Sequence, residues 1–139
     1  MATAQKFEQF VEDEAHKVHN LGSDQLEVAL TPAASAPLVT NQILANLTQT
    51  DYTNLSARTV TTTSSGHTTG TYNLVLTDLV LTASGGNVAA FRYVVLFNQA
   101  SVTPTDALIL FWDYGSDLVL LDTETFTIDF AATTITIGP

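Results

Sequence analysis

Apolar side chains occupy nearly every position in two stretches, Phe91-Arg92-Tyr93-Val94-Val95-Leu96-Phe97 and Ala107-Leu108-Ile109-Leu110-Phe111-Trp112. Neighbouring side chains of a strand point to opposite faces, so both runs predict strands buried on two sides and central to the fold. Elsewhere the period is two. Leu26, Val28 and Leu30 alternate with Gln25, Glu27 and Ala29, and Phe126, Ile128 and Phe130 alternate with Thr125, Thr127 and Asp129. Tyr72, Leu74 and Leu76 share one face of a further strand, whereas Leu79 and Leu81 continue in the opposite phase. A one-residue slip exchanges the faces of a strand, so the ladder is expected to break at Thr77-Asp78 through a bulge, a bend or a change of sheet.

One segment has helical spacing. Phe7, Phe10, Val11 and Val18 recur at three, four and seven, which predicts a helix over residues 6–20 that docks by this stripe and stops at Gly22. Glu14 falls on the same stripe and must lie at the margin of the contact or be paired. Punctuation divides the remainder. Thr31 to Pro37 breaks regular structure, and Ile43, Leu44 and Leu47 suit a single helical turn within a connection. Thr59 to Thr63 reads as an edge strand, followed by a loop from Ser64 to Gly70. Turns are expected at Ser84-Gly85-Gly86-Asn87 and Asp113-Tyr114-Gly115-Ser116, with a link from Asn98 to Asp106 around Pro104. Val119 to Leu121, Thr125 to Phe130 and Thr133 to Ile137 complete eight or nine short strands. Together these predict a single β domain over 1–139, an antiparallel β-sandwich or barrel of jelly-roll or Greek-key type with one N-terminal α-helix.

Composition narrows the function. Four basic residues against fourteen acidic ones give a net charge of −10, which repels phosphate backbones and anionic lipid, so neither direct nucleic-acid nor membrane binding is expected. The acidic residues are scattered, as on a solvated surface. No cysteine is present, which removes disulfides, thiolate nucleophiles and cysteine metal sites. The longest apolar run, Ala107 to Trp112, is far below the roughly 20 residues of a membrane span, and a soluble protein made in the cytoplasm is expected.

Candidate chemistry is sparse. Glu12, His16 and His19 lie at spacings of four and three, within reach of a shared metal ion if helical, but they lack a fourth ligand and read better as solvated helix residues. His67, in a glycine-flanked segment, reads as a surface histidine. Asp113, Asp117, Asp122 and Glu124 gather around two turns, where acidic residues are common, although calcium could draw on such a set. Phe91, Tyr93, Phe97, Phe111, Trp112 and Tyr114 could form a sugar-stacking platform, yet their place in the most apolar strands favours core packing, with Tyr114 the most exposed. No nucleophile elbow, phosphate loop or calcium loop is present. No catalytic, cofactor-binding or metal residue is assigned, and an enzyme is not expected.

Longer words carry a resemblance. Lys6-Phe7-Glu8-Gln9-Phe10-Val11-Glu12-Asp13, His19-Asn20-Leu21-Gly22-Ser23-Asp24 and Leu26-Glu27-Val28-Ala29-Leu30-Thr31 resemble the opening of a small structural protein family of tailed bacteriophages. Gly70-Thr71-Tyr72-Asn73-Leu74-Val75-Leu76, Thr82-Ala83-Ser84-Gly85-Gly86, Phe91 to Asn98 and Trp112-Asp113-Tyr114-Gly115-Ser116 are similar to its later signatures, so the likeness spans nearly the whole chain. Glu14 departs from that pattern, which has leucine there. The resemblance implies a capsid decoration, or cement, protein on the outer surface of the virion, bridging capsomers at threefold or twofold junctions. Its implied partners are the major capsid protein and sister copies in a dimer or trimer. Ala2 to Val11 and Thr31 to Pro37 are the segments expected to grip the shell or those copies. A tail or head–tail connector component and a carbohydrate-binding module are the alternatives.

Overall fold

The computed structural model describes residues 3–131 and 133–138. Its centre is the pair expected from the apolar runs, β7 (Phe91–Val102) and β8 (Thr105–Leu118). They lie inside a five-stranded antiparallel sheet ordered β1-β8-β7-β2-β3, with β1 Ala4–Lys6, β2 Leu26–Thr31 and β3 Thr59–Val60. Against one face stand two smaller sheets: β10-β5-β4, from β4 (Thr62–Thr68), β5 (Thr71–Leu76) and β10 (Ile135–Ile137), and the pair β6 (Leu79–Thr82) with β9 (Thr125–Ile128). The sheets stay separate, so the fold is sandwich-like and not a closed barrel. The expected break at Thr77-Asp78 is a change of sheet, and the Asp78 carboxylate accepts the Phe130 N–H at 2.9 Å where the ladder stops.

Double-sided burial holds for both central strands, and two cores result. Leu26, Val28, Leu30, Val94, Leu96, Ile109, Leu110 and Trp112 meet Leu74, Leu76, Leu81, Ile128, Phe130 and Ile135 from the smaller sheets. Ala29, Tyr93, Val95, Phe97, Leu108 and Phe111 project from the other face. That second face is covered by Phe7 and by the irregular connection after β2, through Val39, Leu44 and Leu47. Backbone bonds hold the cover in place: Leu108 N–H to Gln42 O at 3.0 Å, Thr50 N–H to Leu30 O at 2.8 Å and Glu8 N–H to Val39 O at 3.0 Å. The expected helical turn is a 3-10 turn over Leu44–Asn46.

The helix is shorter than its periodicity suggests, covering only Glu8–Ala15 as α1. Ala4 to Lys6 instead pair with β8, and Phe7 stays extended with its N–H on Ile109 O at 3.1 Å. At the other end Lys17, not Gly22, takes the left-handed conformation (φ +64°) that ends the helix. The predicted stripe is therefore divided. Phe7 enters the second core, where its ring lies 5.0 Å from Phe111, while Phe10 enters the first. Val11 is 65% exposed, because a helix that wraps round a sheet edge has no single flat surface to bury.

Other expectations fail through local hydrogen bonding. Ser64 to Thr68 is strand rather than loop, paired with β5, and only Thr69 and Gly70 turn, at φ +50° and +84°. The link at Asn98 to Asp106 shrinks to Thr103 and Pro104 because both strands run into it. Asp113 to Ser116 is a wide bulge inside β8: Tyr93 pairs with Asp113 but Phe91 pairs with Leu118. Arg92 secures this bulge with a two-pronged bond to Asp113 (2.8 and 3.1 Å), and Gly115 supplies φ +88°. Val119 to Leu121 makes no strand: Leu120 turns into the core, but the segment makes single bonds, Val88 N–H to Leu120 O at 2.8 Å and Glu124 N–H to Leu121 O at 2.9 Å, in place of a ladder.

Phe7 and Val11 distinguish this packing from the simple stripe. Phe7→Ala is expected to cost about 3–5 kcal/mol in urea denaturation, whereas Val11→Ala should change stability by less than about 0.5 kcal/mol.

Candidate functional site

The residues after α1 must return across the sheet edge, and they carry the polar cluster most unlike its surroundings. Val18 N–H bonds back to Asp13 O at 2.9 Å, and Asn20 starts a turn whose carbonyl accepts from Ser23 and Asp24. The Asp24 carboxylate closes that turn by accepting the Asn20 N–H at 2.8 Å. The same oxygen accepts Asn98 Nδ2 at 2.7 Å, which ties the turn to β7.

Asn98 is fully buried, and its amide orientation is set because its Oδ1 accepts the Ala100 N–H at 2.9 Å. Its Nδ2 therefore also donates to His19 Nδ1 at 3.0 Å, which leaves the proton of a neutral imidazole on Nε2. His19 is 7% exposed, with its ring 5.2 Å from Phe10. Asp13, 3% exposed, accepts from Gln9 through Oδ1. His19 Nε2, Asp13 Oδ2 and Glu14 Oε1 are buried and find no partner among the described residues.

Burial pushes the His19 pKa below its ordinary value, opposed by Asp13 and Asp24. Burial likewise pushes the Glu14 carboxyl up, reinforced by the same two aspartates. Glu14 and His19 line an open pocket of about 620 Å³ with Lys17, Asn20, Ser65 and Tyr72. The Ser65 and Tyr72 hydroxyls bond to each other at 2.7 Å, so Ser65 is engaged by a phenol and not by a histidine. The cluster stores uncompensated polarity and positions the turn; it aligns no nucleophile with a base.

The residues singled out from the sequence are dispersed. Glu12 and His16 are exposed and 3.7 Å apart, but His19 lies beyond the end of the helix and inside the fold, contrary to a solvated helix residue. Among the described residues no group of three His, Asp or Glu side chains is arranged to hold a metal ion. His67 lies exposed on β4, its Nδ1 accepting the Gly70 N–H at 3.3 Å. The four acidic residues near the turns are each engaged separately: Asp113 with Arg92, Asp117 with the Ala33 N–H, Asp122 with the Gly85 N–H and Glu124 with the Leu121 N–H. Trp112 is 5% exposed and edge-on to Phe130, and half-buried Tyr114 packs on Phe126. Those rings present no open stacking face.

Asn98 and Asp13 escaped the sequence reading. Asn98 sits where strand alternation continues into a polar stretch, and its only signal is an amide at the end of an apolar run. Comparison of the chain with protein-family models, curated proteins and solved structures found no match.

Asn98→Ala strips partners from Asp24, His19 and the Ala100 N–H at once, and is expected to cost about 2–4 kcal/mol in urea denaturation. Glu14 has the opposite sign. Its carboxyl holds a proton more tightly folded than unfolded, so it destabilises the fold above its folded pKa, and that cost vanishes as pH falls below the unfolded value of 4.5. Glu14→Leu should therefore stabilise the protein at pH 7 by about 1 kcal/mol, with a smaller gain in melting experiments near pH 4.

Proposed function

We propose that this protein is a capsid decoration protein of a tailed bacteriophage, held on the outer surface of the head by contacts with the major capsid protein. The resemblance of its sequence words to that structural family is the origin of the reading. The observation that carries it further is a joint between the first segment expected to grip a shell, Ala2 to Val11, and the residues just past the second, Thr31 to Pro37. Glu8 N–H bonds to Val39 O, so the start of α1 and the connection after Pro37 form one continuous surface. Exposed Leu38 (61%) adjoins this joint in the chain, and exposed Val11 (65%) lies one turn further along α1, beside Thr136 and Ile137. Ala33 N–H on Asp117 anchors the beginning of the connection to the β8 bulge. Ala2 lies outside the described residues; Thr3 to Val11 make up the rest of the expected segment.

Such a surface suits a protein that acts by contact. A rigid double-sided sheet fixes the position of the joint, and apolar side chains beside it supply area to bury against a partner. The net charge of −10 keeps the free protein soluble and averse to packaged nucleic acid.

Quantitative mass spectrometry of purified particles tests this. Decoration requires on the order of hundreds of copies per virion, a number comparable to the major capsid protein. A handful of copies would refute decoration and point to a tail or connector component.

A further inference from the structure

We infer that β4 is a self-association edge, pairing antiparallel with β4 of a second copy about a twofold axis centred on Gly66. β4 lies at the end of the order β10-β5-β4, so one side of it is unpaired among the described residues. A two-residue turn with positive φ at Thr69 and Gly70 joins it to β5, which makes Thr68 and Thr71 a hydrogen-bonded pair. Pairs alternate along an antiparallel ladder. Ser65 and His67, opposite Leu74 and Tyr72, are thus non-hydrogen-bonded positions whose N–H and C=O groups point away from β5.

Those two residues define the register. Ser65 of one copy opposite His67 of the other, and the reverse, form two hydrogen-bonded pairs with Gly66 facing its mate between them. Centring on Ser65 instead would need Thr63, and the ladder is irregular between Thr62 and Ser64. Gly66 itself is unexplained by the isolated chain. It lies mid-strand without positive φ, and a Cβ there would meet nothing within 4 Å. Glycine inside a strand weakens it and often marks the close approach of another backbone. At the proposed axis two non-hydrogen-bonded Cα atoms come within about 4.5 Å, where missing side chains ease the approach.

Charge identifies the occupant as a second copy. Two chains each carrying −10 repel one another over most of their surface. From Thr59 to Thr77 no residue is charged, so the β4–β5 hairpin is where like chains meet without like charges. The other edges are guarded. β1 carries Lys6, β3 is two residues long beside Arg58, β6 follows Asp78, β9 lies between Glu124 and Asp129, and β10 has three residues. β4 has seven, with neither a charge nor a proline.

The contact is small, so the product is a concentration-dependent dimer rather than an obligate one. This inference is independent of the decoration reading, since it concerns the isolated protein. Sedimentation equilibrium from about 10 µM to about 1 mM should show a monomer–dimer equilibrium that tightens with added salt as the net repulsion is screened. Gly66→Asp, which meets no neighbour within the chain, should keep the melting temperature and weaken dimerisation at least about tenfold by placing two carboxylates face to face. Amide exchange at Ser65 and His67 should slow as concentration rises. A wild-type chain that stays monomeric throughout, a Gly66→Asp chain that dimerises equally well, or a dimer that leaves those two amides unprotected would each overturn the inference.

Discussion

The structure depends on covering both faces of one sheet. Strands β7 and β8 present large apolar side chains to both sides, and regular sheet covers only one of them. The β10-β5-β4 and β6-β9 sheets take the face bearing Val28, Leu96 and Trp112. The other face, bearing Val95, Phe97 and Phe111, is left to a connection with little regular structure. That connection is held by its own short-range bonds, Leu38 N–H on Asn41 Oδ1 and Ile43 N–H on Asn46 Oδ1, and by strand-like bonds to β2 and β8. Buried backbone must find partners, so an irregular cover is stable only when its polar groups are satisfied in this way.

The N-terminal segment answers the same constraint at the sheet edge. A bulge in β8 puts Ile109 and Leu110 in the same core and leaves the Ile109 carbonyl for Phe7. From there the chain must pass from one core to the other within a few residues, so Phe7 and Phe10 face different cores. The return after α1 brings His19 and Asp24 towards Asp13 and Glu14, where Asp13 Oδ2, Glu14 Oε1 and His19 Nε2 find no partner among the described residues. Leucine at position 14 would fit this margin with less desolvation. The polarity retained there stiffens a turn that links helix to sheet through Asn98.

On the proposed reading, contact surface and scaffold are separated in space. The rings that look most like a binding platform in sequence are needed in the interior, whereas the surfaces available to partners are the helix start, the adjoining connection and the open β4 edge. Their characters differ. The first offers scattered apolar side chains beside an acidic surface, and the second offers uncharged backbone donors and acceptors.

Local pattern was enough to read the sheet. Alternation located β2, β5 and β9, unbroken apolar runs located the central pair, and the phase change at Thr77-Asp78 marked where the ladder breaks, because strand periodicity is decided by neighbours in sequence. The candidate site was not legible. Glu12, His16 and His19 share a spacing, but only the tertiary path sends His19 inward to Asn98, 79 positions away. Helix length likewise hung on the pairing of Ala4 to Lys6 with β8, and the apparent loop at Ser64 to Thr68 became strand because β5 offered it a partner. By itself the sequence determined that two strands are buried on both sides, since their side chains leave no polar face. Only the tertiary structure decided what covers each face, because that choice rests on contacts between residues far apart in the chain.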